Sequence, residues 1–250
     1  NISQDTGKTL TVSKLNADAS DPANALMGSV NLPELNSIGT LAGKAGNSAN
    51  FLVKTTSALQ IGGVDSNSTV QVPGGTIQIE AGGALSVADD VSAGTLGSVS
   101  LKGVGVNLGP GRTVTGNVVI FDGSNAGALN LGQGNVNAPL AAAVLVRNAS
   151  SVTLGNVLAS NALGIANIAG LVNQQVGTTL ETALLNGTGN AGPISLTNAG
   201  NKVAAVGTLS TSGGGISLLD STGDLSMTGA LSATGEVKIR TAGLLSQSAP

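Results

Sequence analysis

The sequence predicts an all-β fold, a parallel β-helix (β-solenoid) of stacked coils with about three short strands per coil. Three observations carry that prediction. Apolar residues come in pulses of one to three positions, each followed by glycine or small polar residues. The pulses return in the same order at a near-constant interval, the mark of a repeat architecture. And the chain is 41% hydrophobic but only 1% aromatic, with 38 glycines in 250 residues.

Pulse length decides strand over helix. Ile216/Leu218 and Val237/Ile239 are apolar-x-apolar, the period of a strand with one buried face. The intervening Gly, Ser, Thr, Ala, Asp and Glu residues read as turns. From Ile216 the pulses step to Leu225, then Leu231, then Val237, which closes one cycle. One cycle earlier, Ile194, Val203 and Leu209 lead to Ile216 by nearly the same steps. A coil of that size cannot bury its apolar side alone, but stacked coils share one core. The spacing therefore puts Ile194, Ile216 and Val237 in one inward row, and Leu196, Leu218 and Ile239 in the next.

The pattern returns upstream. Ile77/Ile79, Val99/Leu101 and Val119 repeat at the same interval, give or take a residue. Val70/Val72, Leu85/Val87 and Val104/Val106 fill the intervening strands. Leu129/Leu131, Val144/Val146 and Val152/Leu154 continue the series. The first fifty residues are less regular: Leu10 to Val12 read as a strand and Ser20 to Pro33 as a loop. The stretch IANIAGLVNQQVGTTLETALL, 165–185, breaks the rhythm. Thr178 and Glu181 have capping-box spacing, and Leu180, Leu184 and Leu185 form one helical face. Residues 165–190 are thus expected as an enlarged turn or, in preference, a short helical insertion. No linker divides the chain, so 1–250 reads as one elongated domain of about a dozen coils, a rod of ~50–60 Å at ~4.8 Å per coil.

Low charge, 9%, with abundant aliphatics argues against disorder. The near absence of aromatics implies a narrow interior of stacked aliphatic rows. The net charge of −3 offers no basic stripe or stacking platform for nucleic acid. Zero cysteines exclude a disulfide framework. The longest apolar run, about Ala138 to Val146, is far short of the ~20 residues of a membrane helix. The chain begins at Asn1 with no signal-like region and reads as a portion of a longer product.

Residues 179–249 carry a resemblance, above all NKVAAVGTLST (201–211), the GGISL that follows it (214–218) and the closing GLLSQSA (243–249). They resemble passenger repeats of the filamentous haemagglutinin type, large Gram-negative exoproteins exported by two-partner secretion. The resemblance is mostly compositional before residue 179. It implies a right-handed parallel β-helix at the cell surface, an outer-membrane transporter as partner during export, and no catalytic residues. NPNG-type and NPNL-type turns of the family's secretion domain are absent from the sequence, so the resemblance implies a downstream passenger segment or a divergent relative.

Catalytic candidates are sparse. There is no histidine, the commonest general acid–base. Asp89 and Asp90 are adjacent, which on a strand points them to opposite faces, and a solvated turn is their expected place. Asp220 and Asp224 bracket one turn, too few oxygens for calcium. Lys238 and Arg240 alternate with Val237 and Ile239, which makes them outward. The glycine-rich GGVDSNS and STSGGG lack a Walker lysine and read as turns. Sequons occur at Asn67, Asn148 and Asn186, at a frequency chance explains in so Asn-, Ser- and Thr-rich a chain. No catalytic residue, metal or cofactor is expected.

The expected function is a non-enzymatic adhesin-type rod, with a surface ligand held by loops such as 20–33 and 165–190. The alternative is a self-assembling filament subunit, since open solenoid ends expose unpaired strand edges. A carbohydrate-active enzyme is a distant third.

Overall fold

The computed structural model describes residues 1–20, 28–64, 68–140 and 142–248. Among them the chain is all-β, without helix, and winds into a parallel β-solenoid of about 10 turns with 27 strands. At ~4.8 Å per turn this is a rod of ~50 Å, slightly shorter than the spacing predicts.

Three ladders run along it. Ladder A stacks Asn50–Thr55, Thr76–Ala81, Ser98–Lys102, Val118–Asp122 and Ala143–Ala149, then residues 162–168 and 184–190. Ladder B stacks Leu59–Ile61, Leu85–Val87, Val106–Leu108, Leu129–Asn130, Val152–Leu154, Val172–Gln174, Ile194–Leu196, Ile216–Leu219 and Val237–Arg240. Ladder C includes Val70–Gln71, Val91–Ser92, Thr113–Thr115, Asn135–Ala138 and residues 156–159 and 180–182. The chain visits A, B and C once per turn.

Alternation sets what each ladder buries. Thr76–Ala81 reads exposed-buried through its length, and Ser98–Lys102 buries only Val99 and Leu101. Ile77, Val99, Val119, Val144, Leu163 and Leu185 form one inward row of ladder A. Ile79, Leu101, Phe121, Val146 and Ile165 form the next. Each such side chain contributes roughly 1.5–3 kcal/mol by leaving water. The two phenylalanines, Phe51 and Phe121, are fully buried between aliphatic neighbours in different rows. The predicted stacking of the last coils holds in register, Ile194, Ile216 and Val237 in one row and Leu196, Leu218 and Ile239 in the next, but Val237 on its turn is 42% exposed rather than inward.

Buried amides tie the turns together. Asn201 is fully buried and exchanges two hydrogen bonds with Gln174 of another turn, at 2.8 and 3.0 Å. Its Oδ1 also accepts the Leu180 N–H at 3.0 Å. Asn190 donates to the Ile165 and Ser210 carbonyls and accepts the Ile168 N–H, linking three turns. Asn36 spans Gln4, Leu10 and Lys54 in the same way. These partners satisfy backbone groups that corners of a solenoid otherwise leave orphaned.

Four expectations need correction. Residues 165–185 contain no helix. Residues 156–168 and 180–190 are strands that pair with each other, and Thr178 donates its hydroxyl to the Gln175 carbonyl as a turn residue. Leu180 and Thr182 are buried with Glu181 exposed, so period two wins over the capping-box spacing. Val30–Lys44 is one long strand, so the predicted loop does not include Val30 to Pro33, while residues 21–27 lie outside those described. Val104 is exposed, and the inward pair is Val106/Leu108. Finally, Leu209 faces Leu231 as predicted, but Ala205 and Val206 face Ser226 and Met227. That puts Leu225 one residue off the Val203 alignment, and at that point the Val203 N–H is taken by the Asp220 carboxylate at 3.1 Å.

Candidate functional site

The sequence candidates for chemistry are spent on structure. Asp89 pairs with Arg112 at 3.2 Å, and Asp90 accepts the Thr113 N–H at 2.8 Å. Both lie in one turn and reach the next coil, which fixes that coil's position. Asp220 is buried, and its oxygens accept the Val203 N–H and, at 3.1 Å, the Thr241 hydroxyl. Asp224 accepts the Leu244 N–H at 2.7 Å. Lys238 and Arg240 point outward as expected. Gly62 and Gly63 sit at φ 109° and 73°, the turn conformation that glycine permits. The remaining part of that segment, 65–67, lies outside the described residues, as does the Asn67 sequon.

The other two sequons differ. Asn148 is locked: its amide donates to Asp122 at 3.0 Å and accepts from Asn167 at 3.2 Å. Asn148 and Asn167 share a corner at φ 53° and 57°, where Gly189 follows at φ 73°. A Cβ on Gly189 would lie 2.3 Å from the Asn167 amide oxygen, so a larger residue there would require that side chain to move. Asn186 instead faces a shallow groove of about 470 Å³ on the outside of ladder A. Leu145, Gly164 and Asn186 lie there in register on successive turns.

A second surface feature lies outside ladder C. Two outward rows flank the inward Val114, Val136 and Val157. One row is Thr113, Asn135 and Asn156, joined to Thr179 through its N–H on Asn156 at 3.0 Å. The other is Thr115, Asn137, Leu158, Glu181 and Lys202, continuous in register over five turns. Between the rows runs a depression of about 370 Å³. A second depression of about 330 Å³ continues it past Lys202 to Asp224, sharing Leu158 and Glu181 as lining. The amide of Asn156 donates to the Asn135 oxygen at 3.0 Å. Among the described residues the Asn137 amide and the Thr113 hydroxyl hold no hydrogen-bond partner. Glu181 and Lys202 pair at 3.2 Å with both side chains half exposed, which is worth little to stability.

The inward pattern hides this trough from a search for catalytic spacing. Its signal is the flanking positions of short strands, the Thr-Val-Thr of 113–115 and Asn-Val-Asn of 135–137, read down the coils. No family model, curated protein or solved structure matches the chain. The parallel β-solenoid is consistent with β-helical repeats, and no match supports the haemagglutinin-type family specifically.

Proposed function

We propose that the chain is a non-enzymatic, adhesin-type passenger segment of a secreted bacterial exoprotein, displayed at the surface of a Gram-negative cell. The observation that carries this reading is the three ladders that run through the described turns with one shared aliphatic core. Every turn hydrogen-bonds the next, so the object resists bending and can hold a surface away from its anchor. The chain has no cysteine to lock it before threading an export pore. Antibody to this chain should label intact source cells, and an immunoblot should detect a parent far larger than 24.0 kDa. Labelling only after lysis would overturn the reading. Polysaccharide hydrolase and lyase assays should show no product; activity lost in Asp220→Asn, Asp224→Asn would restore the enzyme reading.

A second reading, end-to-end assembly, is favoured by the last described turn. Leu244 and Leu245 are 68% and 49% exposed. Leu245 rims a depression of about 420 Å³ that it shares with Met227, Leu231 and Ile239 on the last described turns. That edge accepts a further coil, from the same polypeptide or a second copy. Concentration-dependent light scattering by the isolated chain, suppressed by Leu244→Lys with Leu245→Lys, is the expected outcome of filament growth. A strict monomer at high concentration leaves the single rod.

A further inference from the structure

We infer that two copies of this chain pack side by side and antiparallel, outer face of ladder A on outer face of ladder A. The two-fold axis runs between the rungs Val118–Asp122 and Ala143–Ala149. The inference does not rest on the adhesin reading, and such a pair is distinct from end-to-end growth. Here the partner meets side chains on a sheet face, not the backbone groups of a strand edge.

Two observations select a second copy as the partner. The first is the apolar stretch. On the rungs from Val118–Asp122 to residues 184–186 the outward side chains are Val, Ile, Ala, Leu, Gly and Asn, with charges only at one edge. Those charges, Asp122 and Arg147, pair at 2.9 Å. Val118 is 36% exposed, and Leu140, at the corner just before Ala143–Ala149, is 50% exposed. Contiguous apolar surface marks an interaction site. The second is the charge row at that edge. Lys54, Glu80, Lys102, Asp122 and Arg147 alternate in sign on five consecutive rungs. An alternating row is its own complement when reversed. With the axis between two rungs each charge meets the opposite sign, and with the axis through a rung like signs meet. Copies pointing the same way would instead set this row against Thr76, Ser98 and Val118, which carry no charge. Only the antiparallel pair matches charge with charge.

The apolar stretch fixes which interval holds the axis. In the proposed pair Ile120 of one copy lies on Leu145 of the other, Val118 on Ala143, and Asp122 beside Arg147. One rung out, Ser100 meets the groove of about 470 Å³ at Gly164. Two rungs out, Gln78 meets Asn186, amide on amide. Moving the axis one interval either way sets Ile120 on Ser100 or on Asn186 and loses the apolar contact. The face spans the six rungs from Thr76–Ala81 to residues 184–186. At ~4.8 Å per rung and ~3.3 Å per residue, a pair buries about 1,000 Å² in total, the lower bound of a specific interface. The association is therefore weak, with a Kd on the order of 10–100 μM.

The test is sedimentation equilibrium of the chain at concentrations from well below to well above that Kd. The mass should rise from 24.0 kDa to twice that value and stop. Ile120→Lys and Leu145→Glu each set a charge against an apolar side chain and should each weaken the pair about tenfold or more. Ile120→Ser, an uncharged change at the same place, should weaken it in the same direction. Mixed in equal amounts, the Ile120→Lys and Leu145→Glu chains should associate again. The ammonium introduced in one then faces the carboxylate introduced in the other, and the unaltered Leu145 and Ile120 face each other. Copies pointing the same way would set position 120 on position 120, and the mixture would stay monomeric. Leu244→Lys with Leu245→Lys, which suppresses end-to-end growth, should leave the pair intact. Melting curves show that each variant is folded. A parent chain that stays monomeric throughout, variants that associate as the parent does, or a mixture that does not associate overturns the inference.

Discussion

Ladder A has the same inside along its length and two different outsides. In its first three rungs the outward rows are Asn50, Thr76, Ser98; Leu52, Gln78, Ser100; and Lys54, Glu80, Lys102. In the next four they become Val118, Ala143, Ala162, Leu184 and Ile120, Leu145, Gly164, Asn186. The two inward rows through Phe51 and Val53 stay aliphatic or phenylalanine. A parallel ladder holds backbones at one spacing whatever points outward, so the core fixes the register and the surface is free to vary. The polar stretch carries its own support. Glu80 lies between Lys54 at 3.8 Å and Lys102 at 2.7 Å, and Asp122 pairs with Arg147 at 2.9 Å. The signs alternate from Lys54 to Arg147, which disfavours a one-rung slip because like charges would then meet.

That contrast can be tested at its strongest point by one substitution on each side of the sheet. Leu101→Asp places an unpaired carboxylate in the core and should cost about 4 kcal/mol or more. Leu145→Asp, on the outside of the same ladder, should cost less than about 1 kcal/mol. Equal losses in melting temperature would refute the inside–outside assignment. Leu218→Asp in ladder B should behave as Leu101→Asp does.

A smaller loss is expected where polar groups hold the corners. Asn201→Leu leaves the Gln174 Oε1 and the Leu180 N–H without partners, each worth ~1–3 kcal/mol when left buried. Urea unfolding should show destabilisation of about 3 kcal/mol, and a neutral outcome would mean that the corner relaxes to admit water.

The charge row should matter less. Glu80→Gln removes two half-exposed ion pairs and should cost about 0.5 kcal/mol at low salt. The difference from the parent should vanish at about 1 M salt, where the Debye length is ~3 Å. A loss that persists there would assign Glu80 a packing role.

The smallest expected change separates surface from fold on the apolar stretch. Val118→Thr with Leu145→Thr should shift stability by no more than ~0.5 kcal/mol while lowering binding of an apolar fluorescent dye. Unchanged dye binding would place the apolar surface elsewhere, for example at the exposed Leu244 edge.

The coil was legible because its cause is local and repeated. Ile77, Val99 and Val119 announce stacked inward positions by spacing alone, and Ile194, Ile216 and Val237 do so again. Alternation sorted Lys238 and Arg240 outward for the same reason. Residues 165–185 misled because Leu180, Leu184 and Leu185 satisfy a helical period as well as a strand ladder. Only pairing with residues 157–164 decides between them, and pairing partners are not written in a single segment. Val203 and Leu225 misled because spacing counts residues but not partners: the ladder pairs Ala205 with Ser226, and the Val203 N–H goes to the Asp220 side chain.

By itself the sequence determined that short aliphatic pulses would stack into a narrow parallel core, since a period of two that recurs once per coil has few other ways to leave water. Tertiary structure alone decided what the outside presents. Thr113, Asn135 and Asn156 are each a full coil apart along the chain, and only the coil register sets them side by side. Outward residues carry no burial signal, and their neighbours come from the turn before and the turn after.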